Sequence, residues 1–121
     1  MCIYDETAMV PSLAMSATAA ADGECVGKPC WTETARGYRY RNKNLTPDGL
    51  FTMSLNAGTE GRASITISGK GDRLRMPTLP LKQDTKVTVQ LVNSDGAVCW
   101  ETVLPGPAIK NTTELFKDRL P

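Results

Sequence analysis

Apolar and polar residues alternate with a period of two along much of this chain, and this pattern most constrains its fold. In RASITIS (62–68), Ile65 and Ile67 alternate with serine and threonine. Successive side chains of a strand point to opposite faces, so the pattern predicts a strand with one buried and one solvated face. Strands are predicted likewise at CIYDE (2–6), GYRYR (37–41), LFTMSLN (50–56), KVTVQLV (86–92) and AVCWETV (97–103). One shared interior is expected to hold Ile65, Ile67, Val87, Val89 and Leu91.

Turn-forming sequences separate these segments. They are TPDG (46–49), NAGTEG (56–61), GKGD (69–72) and NSDG (93–96), and their residues accept tight backbone bends. About seven or eight short strands joined by such turns predict an all-β fold. For a chain of 121 residues, we expect one domain over residues 1–121, an Ig-like, Greek-key antiparallel β-sandwich stapled by disulfides.

Three segments have less regular patterns. PSLAMSATAAADGE (11–24) is rich in alanine, which suits a helix, but Leu13 and Met15 alternate with neighbouring residues, so we predict a strand. MPTLPLKQD (76–84) contains two prolines, which predict an extended crossover rather than a paired central strand. Residues 105–121 are expected to form one helical turn or a short edge strand.

The four cysteines are the second constraint, because the chain contains no histidine. Without histidine, the commonest general base and the commonest metal ligand are missing. A zinc site would need all four thiolates, and no Cys-x-x-Cys pair is present. An even number of cysteines is typical of disulfides formed in an oxidising compartment. We therefore expect no cofactor, and we predict Cys25–Cys30 and Cys2–Cys99, with Cys30–Cys99 and Cys2–Cys25 as the alternative.

The dipeptide Cys-Trp occurs at 30–31 and again at 99–100. On a strand, the sulfur and the indole of each pair point to opposite faces. Packing of both indoles against the sheets is the favoured interpretation, and an exposed platform for sugar rings is the alternative. In GYRYR the tyrosines are expected to face inward and the arginines outward, in preference to a surface for nucleic acid or acidic polysaccharide. These aromatic candidates are Trp31, Trp100, Tyr38 and Tyr40.

Charge and hydropathy argue against several kinds of partner. The 14 basic and 13 acidic residues leave a net charge of +1, whereas nucleic-acid-binding domains are usually clearly basic. No apolar run approaches the length of a membrane span. The start MCIYDETAMV has acidic residues where a signal peptide needs a basic start and an apolar stretch. A secreted, extracellular or periplasmic location would therefore depend on a signal upstream of this chain.

Several segments, taken in order, resemble a module that recurs in predicted secreted bacterial proteins, often large and multidomain. They are GKPCW, GYRYRNKNLTPDGL, AGTEGRASITISGKG, MPTLPL, VTVQLVNSDG, CWETV and KNTTELFKD, and the similarity extends from CIYDE to FKD. The resemblance implies an extracytoplasmic all-β domain and carries over no catalytic residue. The module usually has a further tryptophan-containing strand before the segment that matches CIYDE. We therefore expect an open sheet edge beside the first strand of this chain.

These expectations favour a non-enzymatic structural or assembly module. An open edge recruits other chains, so strand addition between subunits is the leading hypothesis, with a filament or a larger surface complex as the product. A carbohydrate-binding module with a polysaccharide ligand is the alternative. An enzyme is the third hypothesis, because no serine, threonine or cysteine has a recognisable activating base beside it in the sequence.

Overall fold

The structure is a computed structural model that describes residues 1–83 and 85–120. Within these residues the regular secondary structure consists of β-strands alone, and every strand pairing is antiparallel. The predicted all-β class is therefore confirmed. The strands are β1 (Cys2–Thr7), β2 (Val10–Ser16), β3 (Glu24–Cys25), β4 (Lys28–Pro29), β5 (Trp31–Thr34), β6 (Gly37–Arg41), β7 (Leu50–Asn56), β8 (Ser64–Gly69), β9 (Lys86–Val92), β10 (Cys99–Pro105), β11 (Lys110–Asn111) and β12 (Phe116–Lys117).

The less regular segments also take defined forms. The alanine-rich segment forms strand β2 before it leaves the sheet at residue 17. Residues 76–83 of the predicted crossover contain no strand, as expected for a segment with two prolines, and Asp84 lies outside the described residues. The C-terminal segment forms the short hairpin β11–β12 rather than a helical turn, and Pro121 lies outside the described residues.

The main strands form two four-stranded sheets, each in its own compact unit. One unit consists of Met1–Ser16 and the chain from Met76 onward, and the other of Ala17–Arg75. The first sheet has the order β10–β9–β1–β2, and the second sheet has the order β5–β6–β7–β8. The described chain therefore contains two separate small sheets, and their union in one sandwich domain stays a prediction.

Strand β1 is an interior strand of the first sheet. It pairs with β2 along its whole length and with β9 over Cys2, Ile3 and Tyr4. The expectation of an open edge beside the first strand is therefore wrong, because both neighbours of β1 come from the same chain. The edges of the first sheet are β10 and β2.

The first sheet has one apolar face, which the crossover approaches. Val87 of this face is only 1% exposed and Met15 only 7%. Buried Asp5 holds the crossover in place, because its carboxylate accepts hydrogen bonds of 2.5 Å from the backbone N–H groups of both Lys82 and Gln83. These charge-assisted bonds fix a segment whose prolines exclude it from regular strand pairing.

A side-chain amide also anchors the crossover to the C-terminal hairpin. Asn111 of β11 accepts a hydrogen bond of 2.8 Å from the N–H of Leu81, and its Nδ2 donates one of 2.7 Å to the carbonyl of the same residue. One side chain thus replaces both backbone partners that a neighbouring strand would have given Leu81.

The second sheet has a core built on its central strands. Tyr40 is fully buried, and Leu50 and Met53 are 1% and 3% exposed. Buried Asn42 supports this core from the turn that follows β6, because its Nδ2 donates to the Tyr40 hydroxyl at 3.2 Å and to the Thr46 carbonyl at 2.8 Å. The phenol of Tyr40 therefore has a polar partner although it is excluded from solvent.

The predicted core residues do not all have the same environment. Val87 is buried, and Val89, Leu91 and Ile67 are partly buried. Ile65 is 40% exposed, so its placement in a buried interior is wrong. Alternation correctly indicated the face on which Ile65 lies, but that face is not fully covered where Ile65 stands.

Candidate interaction edge of the second sheet

The predicted Cys25–Cys30 disulfide is present. Its two Cα atoms are 4.8 Å apart, and the bond closes the short β3–β4 hairpin. At the tip of this hairpin Val26 and Gly27 both have positive φ values, 57° and 73°, which is the geometry of a two-residue hairpin turn. The bond therefore ties together the ends of a tight turn that includes a β-branched residue in a left-handed conformation.

Cys2 and Cys99 have free thiols, so the predicted Cys2–Cys99 bond is not formed. Strand β9 lies between the strands that carry them. Two strand spacings place their Cα atoms about 10 Å or more apart, whereas a disulfide joins Cα atoms within about 7 Å.

The ionised thiol of Cys2, more than any other group, raises the pKa of Tyr4 above its usual value of 10.0, and burial, a hydrogen bond with Cys2 and the charge of Cys99 add to the shift.

Trp31 and Tyr40 pack against each other in the second unit. Their ring centroids are 5.1 Å apart and their planes are inclined by 52°, a favourable arrangement for two aromatic rings. The indole Nε1 of Trp31 donates a hydrogen bond of 2.7 Å to the carbonyl of Ala20. The sheet-covering role expected for Trp31 and the inward orientation expected for Tyr40 both agree with this geometry.

The other two aromatic candidates are exposed. Tyr38 lies on the same face of β6 as buried Tyr40, as expected, but its ring is 53% exposed because this part of the face is not covered. Trp100, on β10, is 46% exposed. The structure thus brings together Trp31 and Tyr40 and leaves the rings of Tyr38 and Trp100 accessible to solvent.

The four outer strands of the two sheets differ in the features that protect an edge from pairing. Strand β2 contains Pro11 and adjoins an irregularity in its register with β1. Strand β10 carries Glu101 near its middle and ends at Pro105. Strand β5 has only four residues and includes Glu33. Proline, charge, bulges and short length are the usual devices that keep sheet edges from recruiting other chains.

Strand β8 lacks proline and charge, and the irregularity in its register with β7 lies at its C-terminal end, opposite Leu50 and Thr52. Its six residues are SITISG, and three of them, Ile65, Thr66 and Ile67, are β-branched residues typical of strands. It is the outermost strand on its side of the second sheet. Ser64, Thr66 and Ser68 are exposed. The absence of charge and proline from SITISG was visible in the sequence, but the edge position of this strand was not.

The side chains of β8 are regularly arranged on the two faces of the sheet. On the polar face, Asn56 Nδ2 donates to the Ser64 hydroxyl at 3.3 Å, and the hydroxyls of Thr52 and Ser68 share a hydrogen bond. Thr66 lies opposite Ser54 on the same face. These bonds to β7 hold β8 as a regular strand while its outer backbone groups face away from the sheet.

On the apolar face, a row of side chains crosses the sheet and ends at β8. Tyr38 lies opposite Leu55, and Leu55 lies opposite Ile65. Two residues further along β8, a parallel row ends at Ile67, which lies opposite buried Met53. Tyr38 and Ile65 are exposed and Leu55 is half-buried, so the row Tyr38–Leu55–Ile65 places apolar surface directly beside the open backbone of β8.

The described residues include no group of three or more metal-ligating side chains and no helix long and apolar enough to span a membrane. Comparisons with protein-family models, with curated proteins and with solved structures find no match to this chain.

Proposed function

We propose that the protein is a non-enzymatic extracellular or periplasmic module that associates with other chains by strand addition at β8. The observation that carries the proposal is an outermost strand of six residues without charge or proline, bordered by the row Tyr38–Leu55–Ile65, which is exposed at Tyr38 and Ile65. In strand addition, backbone hydrogen bonds supply affinity and side-chain contacts on the sheet face supply specificity. Strand β8 offers both kinds of contact.

The location in this proposal has its own support. The Cys25–Cys30 disulfide is compatible with an oxidising compartment outside the cytoplasm, and the resemblance to a secreted bacterial module implies the same location.

The Ig-like sandwich of about seven or eight strands belongs to the proposal as well, with two antiparallel four-stranded sheets as its support. A filament or a larger surface complex is the expected kind of assembly.

Carbohydrate binding is the second candidate function, and the exposed ring of Tyr38 favours it. An exposed aromatic ring can stack on the apolar face of a sugar, as the sequence suggested for the tryptophans. Binding to immobilised polysaccharide that Tyr38→Ala abolishes and Trp100→Ala leaves unchanged would support this function. Strand addition at β8 does not require a sugar ligand, so the two functions can be separated.

Size and amide exchange together test the assembly proposal. Protein from its natural source should sediment above the mass of a monomer, and the β8 amides of the assembled material should exchange with solvent more slowly than those of dilute recombinant protein. Natural material that sediments only as a monomer would contradict assembly. Assembled material whose β8 amides exchange as fast as in the monomer would contradict the assignment of the edge.

A further inference from the structure

We propose that the partner strand at β8 is β8 of a second copy of this chain, paired antiparallel across a two-fold axis at Thr66. This inference rests on the proposed function and names the partner at the same edge. Most closed homo-oligomers are built on such two-fold contacts, in which each surface patch meets its own equivalent.

The sequence of β8 is self-complementary for this pairing. Ser64-Ile65-Thr66-Ile67-Ser68 reads the same in both directions. An antiparallel pair centred on Thr66 places Thr66 opposite Thr66 of the second copy, Ile65 opposite Ile67, and Ser64 opposite Ser68. Like residues therefore meet at every position, and no charges of equal sign face each other. Cross-strand pairs of β-branched and hydroxyl residues of this kind stabilise antiparallel sheets.

Other registers fit less well. A shift by one residue would place Ile65 opposite Thr66 of the second copy, which would bring apolar and polar side chains to the same face. A shift by two residues would pair Ile67 with Ala63 or Ile65 with Gly69 and would shorten the overlap of the two strands. The register centred on Thr66 gives the longest overlap that keeps apolar residues opposite apolar residues.

The apolar rows of the two copies would join at this contact. The row Tyr38–Leu55–Ile65 would meet Ile67 of the second copy, and the row would continue into that copy's Met53 and Tyr40. Ile65, 40% exposed in the single chain, would then have an apolar neighbour on its outer side. On the opposite face, the two Thr66 hydroxyls would lie side by side and could hydrogen-bond, as Thr52 and Ser68 already do within one chain.

The symmetry limits what this contact can build. Each chain has one β8, so a two-fold β8 contact uses the open edge of both copies and closes as a dimer. A filament would then be made of such dimers and would require a second contact elsewhere on the molecule.

Cysteine cross-linking tests the register directly. Thr66→Cys is introduced into protein that carries Cys2→Ser and Cys99→Ser, so that Cys25–Cys30 is the only other cysteine pair, and the protein is oxidised in a glutathione redox buffer. Residues directly opposite each other have Cα atoms about 4.5–5.5 Å apart, within the range of a disulfide. We expect a covalent dimer on a non-reducing gel, at least tenfold more abundant than that formed by the control Ser64→Cys.

The control follows from the same geometry. Ser64 lies opposite Ser68 of the second copy, four residues from that copy's Ser64, or about 13 Å along the strand. Ser64→Cys alone should therefore give little covalent dimer, whereas an equimolar mixture of Ser64→Cys and Ser68→Cys should form a covalent mixed dimer. Circular dichroism of each reduced variant confirms that it folds, and if Thr66→Cys does not fold, the mixed pair alone tests the register.

The outcomes separate this inference from the proposed function. Equal cross-linking of Thr66→Cys and Ser64→Cys, or none in Thr66→Cys and in the mixed pair, overturns the two-fold β8 contact. If natural material nevertheless sediments above the monomer with its β8 amides protected, the edge binds a different strand and the proposed function stands. If natural material is monomeric, the proposed function fails with it.

Discussion

The two four-stranded sheets of this protein differ most at their edges. Both have one polar and one apolar face and both are antiparallel, yet the outer strands of the first sheet carry Pro11 and Glu101, whereas β8 of the second sheet carries neither proline nor charge. Since an unprotected edge is a template for another strand, the comparison separates an edge adapted to end a sheet from one suited to extend it.

The apolar faces differ in the same sense. In the first unit, Asp5 and Asn111 fix the crossover, and Val87 is 1% exposed. In the second unit, the face is buried at Tyr40 but open at Tyr38 and Ile65. Exposed apolar surface therefore coincides with the unprotected edge, as expected if another chain covers both.

Truncation of two side chains in the second sheet should give the largest contrast. Leu50→Ala should lower the free energy of unfolding by about 3 kcal/mol, because Leu50 is 1% exposed and its removal leaves a cavity. Ile65→Ala should lower it by less than about 1 kcal/mol in dilute, monomeric protein, since surface changes have small effects. Urea denaturation at low protein concentration measures both values. Equal losses would mean that Ile65 belongs to the core after all.

Removal of the Asp5 carboxylate should destabilise the first unit next most strongly. Asp5→Ala leaves the N–H groups of Lys82 and Gln83 without their acceptor, and we expect a loss of about 2 kcal/mol. Asp22→Ala is the matched control, because Asp22 is exposed in a turn-like segment of the other unit and its loss should cost less than about 0.5 kcal/mol. If Asp5→Ala lowers the free energy of unfolding no more than the control does, the crossover does not depend on these bonds.

The burial of these residues also shows how far the sequence could predict the fold. Alternation correctly predicted strands and faces, including the inward orientation of Tyr40. It did not predict the exposure of Tyr38 and Ile65, which lie on the same face one pair further along the strands, because periodicity contains no information on how far the covering elements extend. Tyr38 and Ile65 are the exposed members of the row that carries the proposed function.

Strand order was the second limit. The number of cysteines predicted two disulfides, and the short Cys25–Cys30 loop is closed as expected. Pairing of Cys2 with Cys99 fails because β9 lies between β1 and β10, and that order depends on long-range pairing that local patterns do not encode. The same order makes β1 an interior strand, and the order β5–β6–β7–β8 of the second sheet leaves β8 at an edge.

The Tyr4 phenol should show the smallest effect. Its pKa is raised, first by the charge of Cys2, so the folded state holds this proton more tightly than the unfolded state. The resulting stabilisation is present below the unfolded pKa of 10.0 and is lost as the pH rises through the folded pKa. Cys2→Ser should return the pKa of Tyr4 toward 10.0 in an ultraviolet titration, with Tyr4→Phe subtracted to remove the other tyrosines. An unchanged titration would mean that the thiol does not face the phenol.

Sedimentation of two matched lysine variants over a concentration series tests the central claim most directly. Thr66 on β8 and Thr32 on β5 lie in one cross-strand row, Thr32–Arg39–Ser54–Thr66, and both are exposed, so the two substitutions place a charge on opposite edges of the same sheet face. Thr66→Lys places two ammonium groups opposite each other at the proposed axis, which destabilises the pair. Wild-type protein and Thr32→Lys should form dimers as concentration rises, and Thr66→Lys should stay monomeric with an unfolding free energy within about 0.5 kcal/mol of the wild type. Dimers of equal stability in all three proteins, or in none, would contradict association through β8.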